Sequence, residues 1–116
     1  MTTSGVERVH HVKDRILAVR EILANRSFED ALADIAIWPA FERHLEVISE
    51  ASRHIPAAWK ATLGGDIPWH QVADLGNVIR HGYHHREAPI LWSIYLNDLD
   101  PLEAAIDRML AAHGKL

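Results

Sequence analysis

The chain has 116 residues, with 48% hydrophobic and 24% charged residues, which fits one globular domain and argues against a disordered tail protein. It contains no cysteine, so a disulfide framework, a thiolate metal site and a cysteine nucleophile are excluded. The formal net charge of -4 argues against a protein that binds nucleic acid over its whole surface. A local basic site stays open, because charges act over about 10 Å.

Apolar residues recur with a period near 3.6 along most of the chain, which predicts one all-α domain over residues 1–116, with residues 1–5 as a flexible start. No apolar run approaches the roughly 20 residues that span a bilayer, so we expect no contact with a membrane. The first residues have neither a basic region nor a following apolar stretch. We therefore expect a cytoplasmic protein without a signal peptide.

The first helix is predicted from about residue 6 to residue 24, with Asn25 as its stop. Ser27 is predicted to cap a short second helix, since Asp30 follows three residues later. The apolar face of the first helix would comprise Val9, Val12, Ile16, Val19 and Leu23, and that of the second Phe28, Leu32 and Ile35.

A third helix is predicted with Pro39 in its first turn and an end near Thr62, kinked at Pro56. After a loop at residues 64–68, the fourth helix is predicted from Trp69 to about Tyr83. The third helix would bury Phe41, Leu45, Ile48, Ile55 and Trp59. Four tryptophans among apolar neighbours are interpreted as core or dimer-interface anchors: Trp38, Trp59, Trp69 and Trp92.

Pro89 suits the first turn of a fifth helix, and Asp100 with Pro101 either caps a sixth helix or kinks a continuous one. Short loops favour antiparallel neighbours, so we expect a four- to five-helix up-down bundle. The residues available for burial in this part are Ile90, Leu91, Ile94, Leu96, Leu102, Ile106, Met109 and Leu110.

The fourth helix carries an unusual polar face. At 100° per residue, one arc holds Val72, Leu75, Val78, Ile79 and Gly82, and the opposite arc holds His70, Asp74, Asn77, Arg80, His81 and His84. A face needed for solubility alone is typically built from Lys and Glu. Imidazole, amide and guanidinium groups instead make directed hydrogen bonds or move protons near neutral pH, which favours a functional site.

Residues 75–83 (LGNVIRHGY) resemble the signature of HepT-like proteins, a branch of the HEPN superfamily. That signature consists of Arg, then four residues of which the first is Asn, then His, then any residue, and finally Tyr. The resemblance extends from about residue 12 to residue 112. Its further segments are residues 27–32, 43–51, 67–69, 90–92 and 97–102.

The resemblance implies a helical bundle of the HEPN type that dimerises and brings two signatures together across a cleft. It further implies a metal-independent endoribonuclease toxin without a cofactor, whose partner is a minimal nucleotidyltransferase antitoxin. That antitoxin silences such toxins by attaching AMP to the signature tyrosine, here Tyr83. His84, His85 and Arg86 beside it are candidate contacts to RNA phosphate, or plain loop residues.

RNA cleavage without metal needs a base, an acid and a cation near the phosphate. By analogy with the family, His81 would transfer protons, and Asn77 would fix its tautomer or hold a phosphate oxygen. The family's arginine is replaced by Gly76. Arg80 lies one helical turn later on nearly the same face and is the candidate replacement.

Three alternatives stay open. His81 with His84 or His85 has ligand-like spacing, but the paired Glu and Glu-x-x-His pattern of di-iron bundles is missing, and Glu46 and Glu50 are interpreted as an ion ladder with Arg43 and Arg53. The absence of arginine at position 76 favours a catalytically degenerate module that binds a partner or a nucleotide. Sequence-specific DNA binding is disfavoured, because no helix carries a dense set of Arg and Lys.

Overall fold

Two long helices, α1 (Gly5–Leu23) and α3 (Ile37–Ser52), pack against each other at the centre of the molecule. The computed structural model describes residues 4–82 and 85–114. All regular secondary structure within those ranges is helical, which confirms the predicted fold class. No helix there has both the length and the apolar character that a membrane span requires.

The other elements complete a bundle around this pair, with α5 packed on α3 and α7 packed on α1. In chain order they are α2 (Phe28–Ala33), α4 (Ala57–Leu63), α5 (Trp69–Asn77), a first π-helical turn (Val78–Gly82), a 3-10 turn (His85–Glu87), α6 (Ala88–Ser93), a second π-helical turn (Ile94–Asp98) and α7 (Leu99–His113).

The predicted bounds of the first helix and the predicted start of the second are confirmed. The Ser4 hydroxyl accepts a hydrogen bond from the Glu7 amide, which caps α1. Asn25 ends α1 with a φ of 62°, a left-handed conformation that asparagine tolerates. The Ser27 hydroxyl accepts from the Asp30 amide and caps α2. The predicted stripe of α1 is fully buried: Val9, Val12, Ile16, Val19 and Leu23.

Ile35 was placed on the buried face of the second helix, and this prediction is wrong, since its side chain is 93% exposed. α2 ends before it, and the chain turns toward α3 at Asp34. The Asp34 carboxylate accepts hydrogen bonds from the amides of Ala36 and Ile37 at 2.8 and 3.0 Å. These two bonds hold the pKa of Asp34 below its usual value. A capping carboxylate, rather than continued helix, sets this corner.

Pro56 separates two helices instead of kinking one. α3 ends at Ser52 and α4 begins at Ala57, so the prediction of one helix to Thr62 is wrong at this point. Proline lacks the N–H that a continuing helix would use, and its ring would collide with the carbonyl of Ser52.

The chain is helical without interruption from Ala88 to His113, because the second π-helical turn joins α6 directly to α7. Asp100 and Pro101 therefore lie inside a continuous helical path, as in the second of the two predicted alternatives. Ile90 and Leu96 were expected to be buried, which is wrong, since they are 63% and 60% exposed. Leu96 lies in the π-helical turn, whose i to i+5 hydrogen bonding changes the angular spacing of side chains.

Ion pairs connect α1 to α7 outside the apolar core. Lys13 contacts Glu103 and Asp107, and Arg20 contacts Asp100 and Glu103. Glu103 is thus shared by two cations. The hydrogen bond from Lys13 is the largest cause that lowers the pKa of Glu103, and Arg20 adds to the effect.

Candidate functional site

The position of α5 is set by a close contact with α3. The Ser49 hydroxyl accepts a hydrogen bond from the Gly76 amide and donates one to the Ala73 carbonyl oxygen, both at 2.9 Å. Gly76 is buried, and a Cβ atom there would lie 3.2 Å from Ser49 Oγ. Glycine lets the two backbones approach this closely. Position 76 therefore belongs to the helix interface and not to the exposed face.

α5 changes into the first π-helical turn immediately after Asn77. Val78 was placed on the buried arc by a 100° step per residue, and this prediction is wrong, because its side chain is 41% exposed. The wider turn displaces the angular positions that follow Asn77. Turns of this type occur frequently at functional sites.

Asn77, Arg80 and His81 are all exposed at this end of α5. Arg80 donates a hydrogen bond to the Asn77 side-chain oxygen at 2.9 Å. The Asn77 amide nitrogen donates to Asp74 at a longer 3.4 Å. Within the described residues Asn77 bonds to Arg80 rather than to His81, so its amide oxygen orients the guanidinium. The imidazole of His81 is open to solvent.

Arg80 folds back over Gly76. Its Nη1 atom lies 3.0 Å from the point that a Cβ on Gly76 would occupy. The same nitrogen lies 3.6 Å from a carboxylate oxygen of Glu46 on α3. The guanidinium therefore occupies the space beside Gly76, between an amide oxygen and a carboxylate.

Glu46 is a site residue that the sequence interpretation missed. It was assigned to an ion ladder, and the ladder is present, with Arg43 3.9 Å from Glu46 and Arg53 4.0 Å from Glu50. Glu46 also approaches Arg80, across a sequence separation that no local pattern reveals. The packing of α5 on α3 through Gly76 brings the two together.

A cleft of about 340 Å³ lies beside this cluster, between α1 and α3, and Arg80 forms part of its wall. Its charged and polar lining comprises Arg8, His11, Arg43, Glu46, Glu50 and Arg80. Sequence reasoning did not connect Arg8 and His11 with the site. Their three-residue spacing placed them on one face of the first helix, but gave no sign of the element they would meet.

The remaining predicted residues lie around the next turn. Tyr83 and His84 fall outside the described residues. The backbone of His85 lies in the 3-10 turn, and Arg86 is exposed there. Across residues 4–82 and 85–114, no three His, Asp or Glu side chains are grouped in a way that could hold a metal ion.

The helical bundle is the fold that the resemblance to HEPN proteins implies. The model of the family described as "Ribonuclease HepT-like" matches residues 12–109, and the chain belongs to this family. It is 28% identical over 109 residues to a Thermococcus cleftensis protein named "Probable ribonuclease HepT", covering 94% of this chain and 98% of the relative.

A second relative comes from Caldanaerobacter subterraneus subsp. tengcongensis and is named as a candidate RNase. It is 30% identical over 101 residues, covering 84% of this chain and 89% of the relative. A third, from Methanocaldococcus jannaschii and similarly named, is 29% identical over 89 residues, covering 77% of this chain and 81% of the relative. No solved structure matches the chain with significance.

Proposed function

We propose that this protein is a metal-independent endoribonuclease that cuts RNA at a site composed from two copies of the chain. The observation that carries the proposal is the exposed cluster of Asn77, Arg80 and His81 at the end of α5, in the segment that resembles the family signature. Membership of the HepT-like family and the ribonuclease names of its relatives support the reaction class.

The reaction proceeds by attack of the ribose 2′-oxygen on the neighbouring phosphorus. One imidazole takes the 2′-hydroxyl proton, a new P–O2′ bond forms, and the P–O5′ bond breaks. A second imidazole protonates the departing O5′. The products are a 2′,3′-cyclic phosphate and a 5′-hydroxyl. One His81 acts as the base and the His81 of a second copy as the acid. This pairing requires an imidazole that is exposed in the single chain, as that of His81 is.

Arg80 supplies the cation that the family signature's arginine would supply at position 76, where this chain has Gly76. Its guanidinium already occupies the space beside position 76, where Asn77 accepts its hydrogen bond. A guanidinium presents several donors in a plane and can bind two phosphate oxygens at once. The charge that develops on the phosphate is then stabilised from the next helical turn instead of from position 76.

We further propose that the enzyme acts in the cytoplasm as the toxin of a toxin–antitoxin pair, silenced by a minimal nucleotidyltransferase. Tyr83 is the proposed AMP acceptor because of its place in the signature. An AMP group two residues from His81 would add negative charge and bulk where the RNA phosphate binds. His84, His85 and Arg86 are the proposed additional contacts to that phosphate.

The test is RNA cleavage by the purified chain in the presence of a chelator and without a partner protein. We expect cleavage that leaves 2′,3′-cyclic phosphate ends, and a loss of at least about 100-fold in rate for His81→Ala. His113→Ala is the matched control, since His113 is an exposed histidine at the end of α7, and it should cleave at close to the wild-type rate. Intact RNA with the wild-type chain would overturn the proposal.

A second candidate is a degenerate family member that binds a nucleotidyltransferase or a nucleotide without cutting RNA. It is favoured by Gly76 and by the contacts that Arg80 makes with Asn77 and Glu46 in the free chain. This candidate predicts that wild type and His81→Ala leave RNA intact both with chelator and with added divalent cations, while wild type still binds the partner.

A further inference from the structure

We propose that the cleft between α1 and α3 is a second phosphate-binding subsite, in which Arg8, His11 and Arg43 hold the RNA backbone next to the cleaved bond. The inference rests on the proposed ribonuclease function and extends its site from the end of α5 onto two further helices. It concerns binding of the strand and assigns no chemical step to these residues.

Arg8 gives the first reason. Its Nε atom is buried and has no hydrogen-bond partner among the described residues. A buried cationic donor without an acceptor is unfavourable, and Arg8 also lines the cleft, so a rotation of its side chain would pair the guanidinium with an anion bound there. Arginine N–H groups form short, strong hydrogen bonds with phosphate oxygens.

Arg43 and His11 give the second reason, since both are exposed on the wall of the same cleft. The Arg43 side chain is 69% exposed, and its distance of 3.9 Å from Glu46 is longer than a hydrogen bond. Such a pair contributes little to stability, so the guanidinium can turn to a ligand at small cost. The cleft holds three arginines against two carboxylates, Glu46 and Glu50, a local excess of positive charge in an acidic protein.

The position of Arg80 favours RNA over an acidic protein as the occupant. Arg80 lines the cleft and also contacts Asn77, which lies four residues before His81. When one phosphate of an RNA strand binds Arg80 at the cleavage site, the neighbouring phosphates of the same strand therefore lie against the cleft.

The experiment measures binding of a short 2′-O-methyl oligoribonucleotide, which cannot be cleaved by attack of the 2′-oxygen, to the full chain over a range of salt concentrations. Arg43→Gln and Arg8→Gln should each weaken binding about three- to tenfold, irrespective of base sequence. Each should also reduce the slope of log affinity against log salt by about 0.7, the value for one lost contact to a single strand.

Arg26→Gln is the matched control, because Arg26 follows the opposite end of α1 and should leave affinity and slope unchanged. Circular dichroism establishes that the variants are folded, and Arg43→Gln keeps the test valid even if Arg8→Gln is unstable, since Arg43 is mostly exposed.

Wild-type affinity and slope in Arg43→Gln would overturn the subsite, even if wild type cleaves RNA. Weaker binding in this variant supports the subsite, even if wild type cuts nothing and the ribonuclease proposal fails. If Arg43→Gln binds RNA as wild type does but binds polyglutamate more weakly, the cleft is assigned to an acidic protein and the proposal is overturned.

Discussion

The two sides of α3 are built in different ways. Toward α1, the contact is regular: five apolar residues of α1 at helical spacing are fully buried, and α7 is fastened to α1 by shared ion pairs. Toward α5, the contact combines polar and apolar groups, with Ser49 bonded to the backbone, Gly76 as the buried residue of α5, and the half-buried Val72 and Leu75 packed on the core. The first side provides stability, and the second leaves a helix end whose polar groups face outward.

The largest expected effect lies on the α1 side. Ile16→Ala should lower the free energy of unfolding by about 3 kcal/mol, because it opens a cavity at a fully buried position. Val78→Ala, at a 41% exposed position on the first π-helical turn, should change it by less than about 0.5 kcal/mol. Urea denaturation of both variants checks the comparison. An equal loss in both variants would contradict the larger contribution assigned to the buried face of α1.

An intermediate effect is expected where α5 meets α3. Ser49→Ala should lower the free energy of unfolding by about 1–2 kcal/mol, since it removes a buried hydroxyl that bridges Ala73 and Gly76. Ser52→Ala is the control, because the Ser52 hydroxyl donates within its own helix to the Ser49 carbonyl. A larger loss in the control would mean that the bridge between the helices matters little.

The smallest effect concerns the ion pairs between α1 and α7. Glu103→Gln should cost about 1 kcal/mol at neutral pH, since the network is partly exposed. The pKa of Glu103 is lowered in the folded state, so its contribution is complete above the unfolded value near 4.3 and is lost as the pH falls through the folded value.

The measurement is thermal unfolding of wild type and Glu103→Gln between neutral pH and about pH 3. The difference between them should shrink as the pH falls. Glu21→Gln, an exposed glutamate on α1, should show no such change. A difference that stays constant with pH would contradict the assignment of this contribution to the Glu103 carboxylate.

Much of the framework could be predicted from the sequence. The stripe of α1, the cap at Ser27, the stop at Asn25 and the all-α class follow from periodicity and local hydrogen bonding, which depend on neighbours in sequence. Errors arose where a local change of backbone overrides the period. Val78 and Leu96 lie in π-helical turns, and Ile35 follows the corner at Asp34.

The candidate site was predicted only in part. Asn77, Arg80 and His81 lie on one helix end, so their spacing and their resemblance to a family signature were enough to single them out. Glu46 and Arg8 come from α3 and α1, and their proximity to Arg80 depends on tertiary packing that the sequence does not display. The burial of Gly76 against Ser49 also needed the structure, although the glycine itself was noted.

The central claim, that Arg80 provides the cation absent at position 76, is tested most directly by the single-turnover rate of RNA cleavage in chelator. Arg80→Ala should reduce this rate about 100-fold or more, as expected for removal of one donor that stabilises the transition state, and Arg26→Ala should leave it within about threefold of wild type. Cleavage by Arg80→Ala at the wild-type rate would contradict the claim.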